Sequence, residues 1–298
     1  MPSFKSHLVA FVLKATRKKA FASPENLHAW IARARTRQDH RPPAAVARRL
    51  AVTEQRVAAM PVFRVRRRGG AAGGPAIVYL HGGAYCFEIT PHHWRLIAEL
   101  AERLDATLTV PIYPLAPEHS FEAIFAPMRA LYRRLVEEEP ADRLILMGDS
   151  AGGNMALVLT MMAAEAGLPA PGRQVLISPG LDMSLANPAI RRMADRDPWL
   201  DIPGGLEAVA LYAPALARTD WRVSPLYGDL SVLPRTLVLS GTRDVLSPDT
   251  VLFAERAAAA GVDVELVLEP DMIHVWPLID MPEARHARDR IVAFCRAR

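Results

Sequence analysis

The stretch Leu144-Ile-Leu-Met-Gly-Asp-Ser-Ala-Gly-Gly-Asn154 is an apolar strand that turns abruptly at a serine. Its centre, Gly148-Asp149-Ser150-Ala151-Gly152, is a G-x-S-x-G pattern, in which a strained strand-to-helix turn lifts a serine hydroxyl above the end of a sheet. Glycine is required on either side because a side chain there collides with the neighbouring strand and helix. Met155-Ala-Leu-Val-Leu-Thr-Met-Met-Ala163 then reads as a buried helix, its positive N-terminus aimed where negative charge gathers during acyl transfer.

The context makes the pattern specific. Upstream, Ala76-Ile-Val-Tyr-Leu80 is an apolar strand that runs into His81-Gly82-Gly83-Ala84. A glycine pair after a strand exposes backbone N–H groups without Cβ obstruction, as an oxyanion hole requires. Downstream, the strand Thr236-Leu-Val-Leu-Ser240 ends in Gly241-Thr-Arg-Asp244, and Val264-Glu-Leu-Val-Leu-Glu269 is followed by Pro270-Asp-Met-Ile-His274. Oxyanion loop, serine, acid and histidine, each at the carboxyl end of a strand, is the chain order of an α/β-hydrolase.

Taken together, His81-Gly-Gly-Ala84, Tyr113-Pro-Leu-Ala-Pro-Glu118, Gly148-Asp-Ser-Ala-Gly-Gly-Asn154, Asp244-Val-Leu and Met272-Ile-His274 resemble the hormone-sensitive lipase family of α/β-hydrolase esterases. The resemblance covers roughly residues 60–298. Ala84 stands where the common form has a third glycine, a change the family tolerates because the first two supply the donors. The resemblance implies a mainly parallel twisted sheet with helices on both faces and a helical cap. It also implies serine-dependent hydrolysis of a small-molecule ester without metal or organic cofactor, and pairing of two copies along the edge of the last strand. It places Glu118 in a structural network behind the oxyanion loop.

Each role has rivals. Ser150 is the candidate nucleophile and His274 the general base, the one histidine of nine that follows a late strand by a short loop. Asp244 is the acid that holds the imidazole; Asp249 looks like a helix start, and Asp271 is too near His274 in sequence to occupy a separate loop. The oxyanion donors are the N–H groups of Gly82, Gly83 and Ala151. His81 and Asp149 are read as braces of the loop. Tyr85 and Phe87 are candidates for the substrate pocket, and Cys86 for a small buried hydrophobe. His92 and His93 are read as surface or pocket-rim residues, since no thiolate or carboxylate spacing beside them supports a metal site.

The 298 residues suit one α/β unit, and 51% hydrophobic content supports a large core. No apolar run approaches the ~20 residues that span a bilayer. Leu8–Leu13 is followed by lysines instead of a cleavage site, and two cysteines make no disulfide scaffold, so a cytoplasmic protein is expected. Net charge is +4, but residues 1–70 carry +13 and the remainder −9. The N-terminal part therefore reads as a separate layer. Phe4, Leu8, Phe11, Val12 and Ala15 recur at helical spacing, flanked by Lys5, Lys14 and Lys18. The plainer reading is a cap helix lying on the acidic body, and the sharper one a basic segment that touches an anionic membrane. Nucleic-acid binding lacks any recognition motif to accompany the charge.

Residues 1–50 are expected to form two or three cap helices, with Ser23-Pro24-Glu25 as a helix start. Residues 51–298 form the catalytic unit. An outer strand is expected over Arg56–Arg67, then a hairpin or loop over the glycine-rich 69–74. Between Pro179 and Pro225 the alternation of strands and helices stops, and a second cap segment is expected at about 181–224. The activity expected is carboxylesterase on short- to medium-chain acyl esters. Amide or lactone cleavage by the same groups, and a non-catalytic binding protein of the same fold, are the alternatives.

Overall fold

In the computed structural model, which describes residues 2–37, 39–70 and 73–297, the first fifty residues form four helices. These are α1 (Phe4–Thr16), α2 (Lys18–Phe21), α3 (Pro24–Arg35) and α4 (Ala44–Arg49), one more than the most expected from the sequence. Ser3 and Ser23 start α1 and α3, each hydroxyl accepting the N–H three residues on at 3.2 Å. The chain then alternates: β1 (Leu50–Val57), β2 (Met60–Arg67), β3 (Ala76–Leu80), α5 (Pro91–Leu104), β4 (Thr107–Pro111), α6 (Phe121–Glu138), β5 (Leu144–Asp149), α7 (Ala151–Glu165) and β6 (Arg173–Ile177). After β6 come α8 (Pro188–Ala194), α9 (Ile202–Tyr212), β7 (Arg235–Arg243), α10 (Ser247–Ala259), β8 (Val264–Ile273) and α11 (Pro282–Arg296).

The single outer strand expected over Arg56–Arg67 is instead an antiparallel hairpin, β1 pairing with β2 from Leu50↔Arg67 to Val57↔Met60. Its two-residue turn is Ala58-Ala59, with φ of 47° and 67°. The glycine-rich loop at 69–74 lies partly outside the described residues.

Among the described residues the sheet has eight strands in the order β1-β2-β4-β3-β5-β6-β7-β8. The hairpin joins β4 antiparallel, and every pair from β4 through β3 to β8 is parallel. Side chains alternate across it, as strand geometry demands. In β5, Leu144 and Leu146 enter a core with Phe125, Met128, Met155 and Phe253 of α6, α7 and α10. Ile145 and Met147 enter the opposite core with Trp94, Ile97, Ile291 and Phe294 of α5 and α11. All four β5 side chains are buried, each contributing roughly 1.5–3 kcal/mol over exposure. Strands buried on both faces hold their carboxyl ends in register, and there the candidate residues sit.

Outside this layered body, α2 and α3 pack on α9. Contact is close: a Cβ on Gly204 would lie 2.5 Å from the Phe21 Cα. Among the described residues, no helix is long and apolar enough to cross a membrane.

Candidate active site

Ser150 occupies the turn between β5 and α7 with φ 53° and ψ −117°, a strained conformation for a residue with a Cβ. Its neighbours lock it there. The Ser150 N–H donates to Ile177 O at 2.8 Å, and Ser150 O accepts the Gly180 N–H at 3.2 Å. A Cβ on Gly148 would lie 2.3 Å from Gly152 O, and one on Gly152 only 1.9 Å from Leu80 O. The turn is therefore possible only with glycine at both places. Ala151 begins α7, so its N–H is one of the helix's unpaired donors and faces the same space as the serine.

After β3, His81-Gly82-Gly83 crosses the end of β5. Gly83 has φ 127°, and Ala84 and Tyr85 follow at 53° and 59°, so the backbone doubles back on itself. Among the described residues, no acceptor takes the N–H of Gly82 or Gly83. The loop is braced from beneath. Asp149, buried, accepts from the Tyr79 hydroxyl at 2.8 Å and from His93 Nε2 at 3.3 Å, and its Oδ2 fills the place a Gly82 Cβ would take. Burial works against the Asp149 charge, but His93, Tyr79 and His81 outweigh it and hold the carboxyl below its usual range. His81 is fully buried, donates from Nδ1 to Gly82 O at 2.7 Å and stacks on Tyr113. Burial, helped by His93, pushes its pKa down to about 3, so the ring is neutral.

Asp244, fully buried after β7, accepts His274 Nδ1–H at 2.9 Å and the Leu246 N–H at 2.9 Å. His274 directly follows β8, and the turn on which it sits is pinned by the Val275 N–H donating to Ser178 Oγ at 3.1 Å. Burial depresses the imidazole pKa, but the charge and hydrogen bond of Asp244, with Asp197 and Asp149, raise it above its ordinary value. Nδ1 being engaged, Nε2 is left without a partner among the described residues, as is the Ser150 hydroxyl. Both residues line one chamber of about 580 Å³, together with Gly82, Gly83 and Ala151. Further walls come from α1, Phe21, Trp30 and the segment from Met183 to Val209.

Tyr85 does not line that chamber. It is fully buried, donates to Asn154 Oδ1 at 2.7 Å and stacks on Tyr212, because the positive φ at 84 and 85 turns it into the core. Phe87 lines the chamber instead. Glu118, half exposed, takes both ends of the Arg35 guanidinium, at 3.0 and 2.9 Å, while Arg35 also donates to Cys86 O and Ala116 O. Glu118 thus reaches the backbone behind the glycine loop through α3. His93 is largely buried but borders the chamber; its Nδ1 accepts the Thr90 N–H and closes the start of α5. His92 also borders the chamber. Cys86 is buried, which pushes its thiol up to about 12. Among the described residues, no three His, Cys, Asp or Glu side chains stand together as a metal site would require.

The sequence reading missed Asp197. It is buried between α8 and α9 and accepts from Trp199 and Leu200 N–H with Oδ1 and from Val245 N–H with Oδ2. Burial and the neighbouring Asp244 raise its pKa to about 6. Trp199 stands edge-on to His274, ring centroids 5.9 Å apart. In sequence an Asp-Pro pair carries no more than a turn signal, and no local spacing ties it to residue 245.

A parallel sheet that carries a strained serine at the end of one strand and a carboxylate-held imidazole at the ends of two others defines an α/β-hydrolase. The α/β hydrolase fold family matches residues 77–278. A triacylglycerol lipase of Mycobacterium tuberculosis is 34% identical over 69% of this chain, the match spanning 43% of that protein. An acetyl-hydrolase of Streptomyces hygroscopicus is 33% identical over 75% of this chain and 76% of its own length. The crystal structure of an esterase from the bacterial hormone-sensitive lipase family superimposes with a TM-score of 0.84 at 27% identity, covering 99% of this chain and 98% of that one. The chain belongs to the α/β-hydrolase family, in its hormone-sensitive lipase branch, and is an ester hydrolase.

Proposed function

We propose that this chain is a serine carboxylesterase acting on short- to medium-chain acyl esters. The observation that carries the reading is the His274–Asp244 hydrogen bond beside a strained Ser150 in one shared chamber. His274 Nε2 takes the serine proton as Oγ attacks the acyl carbonyl. The N–H groups of Gly82, Gly83 and Ala151 receive the oxyanion, and His274 returns the proton to the leaving alcohol. Water, activated by the same imidazole, then releases the acid. Asp244 fixes the tautomer and balances the imidazolium. His81, Asp149 and, through Arg35, Glu118 hold the donor loop. No metal or organic cofactor enters this scheme.

Substrate size is argued from the walls. Phe21, Trp30, Leu185, Leu200 and Val209 make the chamber apolar, and about 580 Å³ accommodates an acyl chain of modest length. The acetyl-hydrolase relative supports the short end of that range. Residues 1–50 and the segment at about 181–224 serve as a two-part cap, since both supply chamber walls. Two copies pair along β8, the outermost strand of the parallel side, where Leu268 is exposed; sedimentation velocity reads this directly.

A panel of p-nitrophenyl esters from acetate to palmitate, on wild type and Ser150→Ala, tests the assignment. Turnover should peak among the shorter esters and vanish in the variant. Flat rates independent of Ser150 would overturn it, and faster turnover of anilides or lactones would move the activity to those bonds.

A further inference from the structure

Helix α1 turns most of its large apolar side chains away from the protein. Its inward side presents Ser6 and Ala10, both buried, with Val9 and Leu13 partly buried against the same core. Its outward side presents Phe4, Leu8, Phe11 and Val12, exposed by 84%, 50%, 70% and 48%. The apolar stripe expected to lie on the body therefore faces solvent. Among the described residues these are four of the six large hydrophobic side chains that stand exposed, gathered on little more than two turns.

The helix is held in this attitude by contacts at its two ends. Ser3 donates to Glu283 Oε2 at 3.0 Å, and Lys5 pairs with Asp280 at 2.9 Å. Further along, Lys18 donates to Ala194 O at 2.8 Å and pairs with Asp201, and the Arg17 guanidinium covers the Trp30 ring. Lys14 and Lys19 are exposed at the far end of the stripe, and Lys5 is half exposed beside it. No acid occurs before Glu25. Leu8 and Val12 have a second role: with Val9, Leu13 and Arg17 they wall the chamber that holds Ser150.

We propose that α1 is a docking surface for an anionic lipid membrane, which seats the chamber wall formed by Leu8 and Val12 against the bilayer. An exposed aromatic and aliphatic stripe flanked by lysines is what an interfacial helix presents. Its apolar side chains enter the acyl boundary while its cations meet the headgroups. Charge selects the occupant, because the first seventy residues carry +13 while the rest of the chain is acidic, leaving the helix end cationic. An apolar ester dissolved in that bilayer would meet the chamber without crossing water.

Vesicle cosedimentation of the full chain tests this without any reading of turnover. Wild type should pellet with mixed phosphatidylglycerol and phosphatidylcholine vesicles, about tenfold or more tighter than with phosphatidylcholine alone, and added salt should narrow the gap. Phe4→Ser/Phe11→Ser should lose about tenfold or more of the binding while keeping its unfolding midpoint, since neither ring is packed. Lys14→Glu/Lys19→Glu should lose the preference for anionic vesicles. Wild type remaining in the supernatant with both vesicle types, or the phenylalanine variant binding as wild type, would overturn the proposal. A concentration-dependent dimer broken by Phe4→Ser/Phe11→Ser, with no vesicle binding, would overturn it too and assign the stripe to a second copy.

Discussion

Asp197 accepts the backbone N–H of Val245 at 2.8 Å, which ties the segment between α8 and α9 to the residue that follows Asp244. A second buried carboxylate thus stands behind the one that holds His274. It adds negative charge to the imidazole's surroundings and fixes the turn on which Asp244 is carried.

Asp197→Asn should therefore move the acid limb of the kcat/KM profile to lower pH, because removing this charge makes His274 easier to deprotonate. Stability should change with pH in step. Asp197 titrates near 6 in the folded protein against an ordinary 3.8, so the folded state binds its proton more tightly. Wild type should lose stability as pH rises through about 4 to about 6, and Asp197→Asn should lack that part of the loss. A pH–rate profile and denaturant titrations at several pH values check both, and an unmoved acid limb would remove Asp197 from the electrostatics.

Asp244→Asn should cut kcat by about 10⁴, the loss a serine protease suffers when its triad aspartate can no longer hold the tautomer. Asp271→Asn should leave turnover near wild type. Asp271 is exposed, and its backbone N–H donates to Thr242 Oγ1, whereas the carboxylate bonded to His274 Nδ1 is that of Asp244. Steady-state kinetics of the pair decide which acid serves the histidine.

Gly83→Val should lower kcat by about 10²–10³ more than it raises KM, as loss of one oxyanion donor does. Its Cβ would meet Phe87 O at 2.5 Å on a backbone with φ 127°, so the donor must shift. Gly152→Ala should act on the fold instead. Its Cβ would lie 1.9 Å from Leu80 O, which forces α7 away from β3 and should cost several kcal/mol. Thermal unfolding beside kinetics separates the two effects.

Arg35→Ala should reduce both turnover and the unfolding midpoint, whereas Glu118→Gln should be milder. Among the described residues the guanidinium alone satisfies Cys86 O and Ala116 O, at 2.6 and 2.7 Å, and losing it strands both carbonyls. Glu118 is half exposed, so water replaces much of what it gives.

The parts of this molecule legible in the sequence are those that one short segment must satisfy alone. Ser150 needs glycines within two residues, the donor loop needs Gly82-Gly83, and apolar runs such as Ile145 to Met147 need burial on both faces; all three announce themselves locally. Contacts between distant segments do not. Asp197 and Val245 are separated by 48 residues with no pattern joining them. The β1–β2 hairpin was hidden because Ala58-Ala59, not a glycine or asparagine pair, adopts the left-handed turn. Periodicity finds the stripe on α1 but not the side it faces, since two of the inward residues, Ser6 and Ala10, are too small or polar to mark the buried face that they share with Val9 and Leu13. Tyr85 reads as a pocket residue in sequence because positive φ at an alanine and a tyrosine has no composition cue.

The chamber's outer walls and its proposed reactive groups belong to different parts of the chain. Ser150, Asp244 and His274 ride on strands locked between two cores, while Trp30, Leu185, Leu200 and Val209 come from helices and loops laid outside the sheet. Selectivity can therefore drift by exchanging those outer side chains while the bond-breaking apparatus keeps its geometry, so relatives with unlike diets can share one engine.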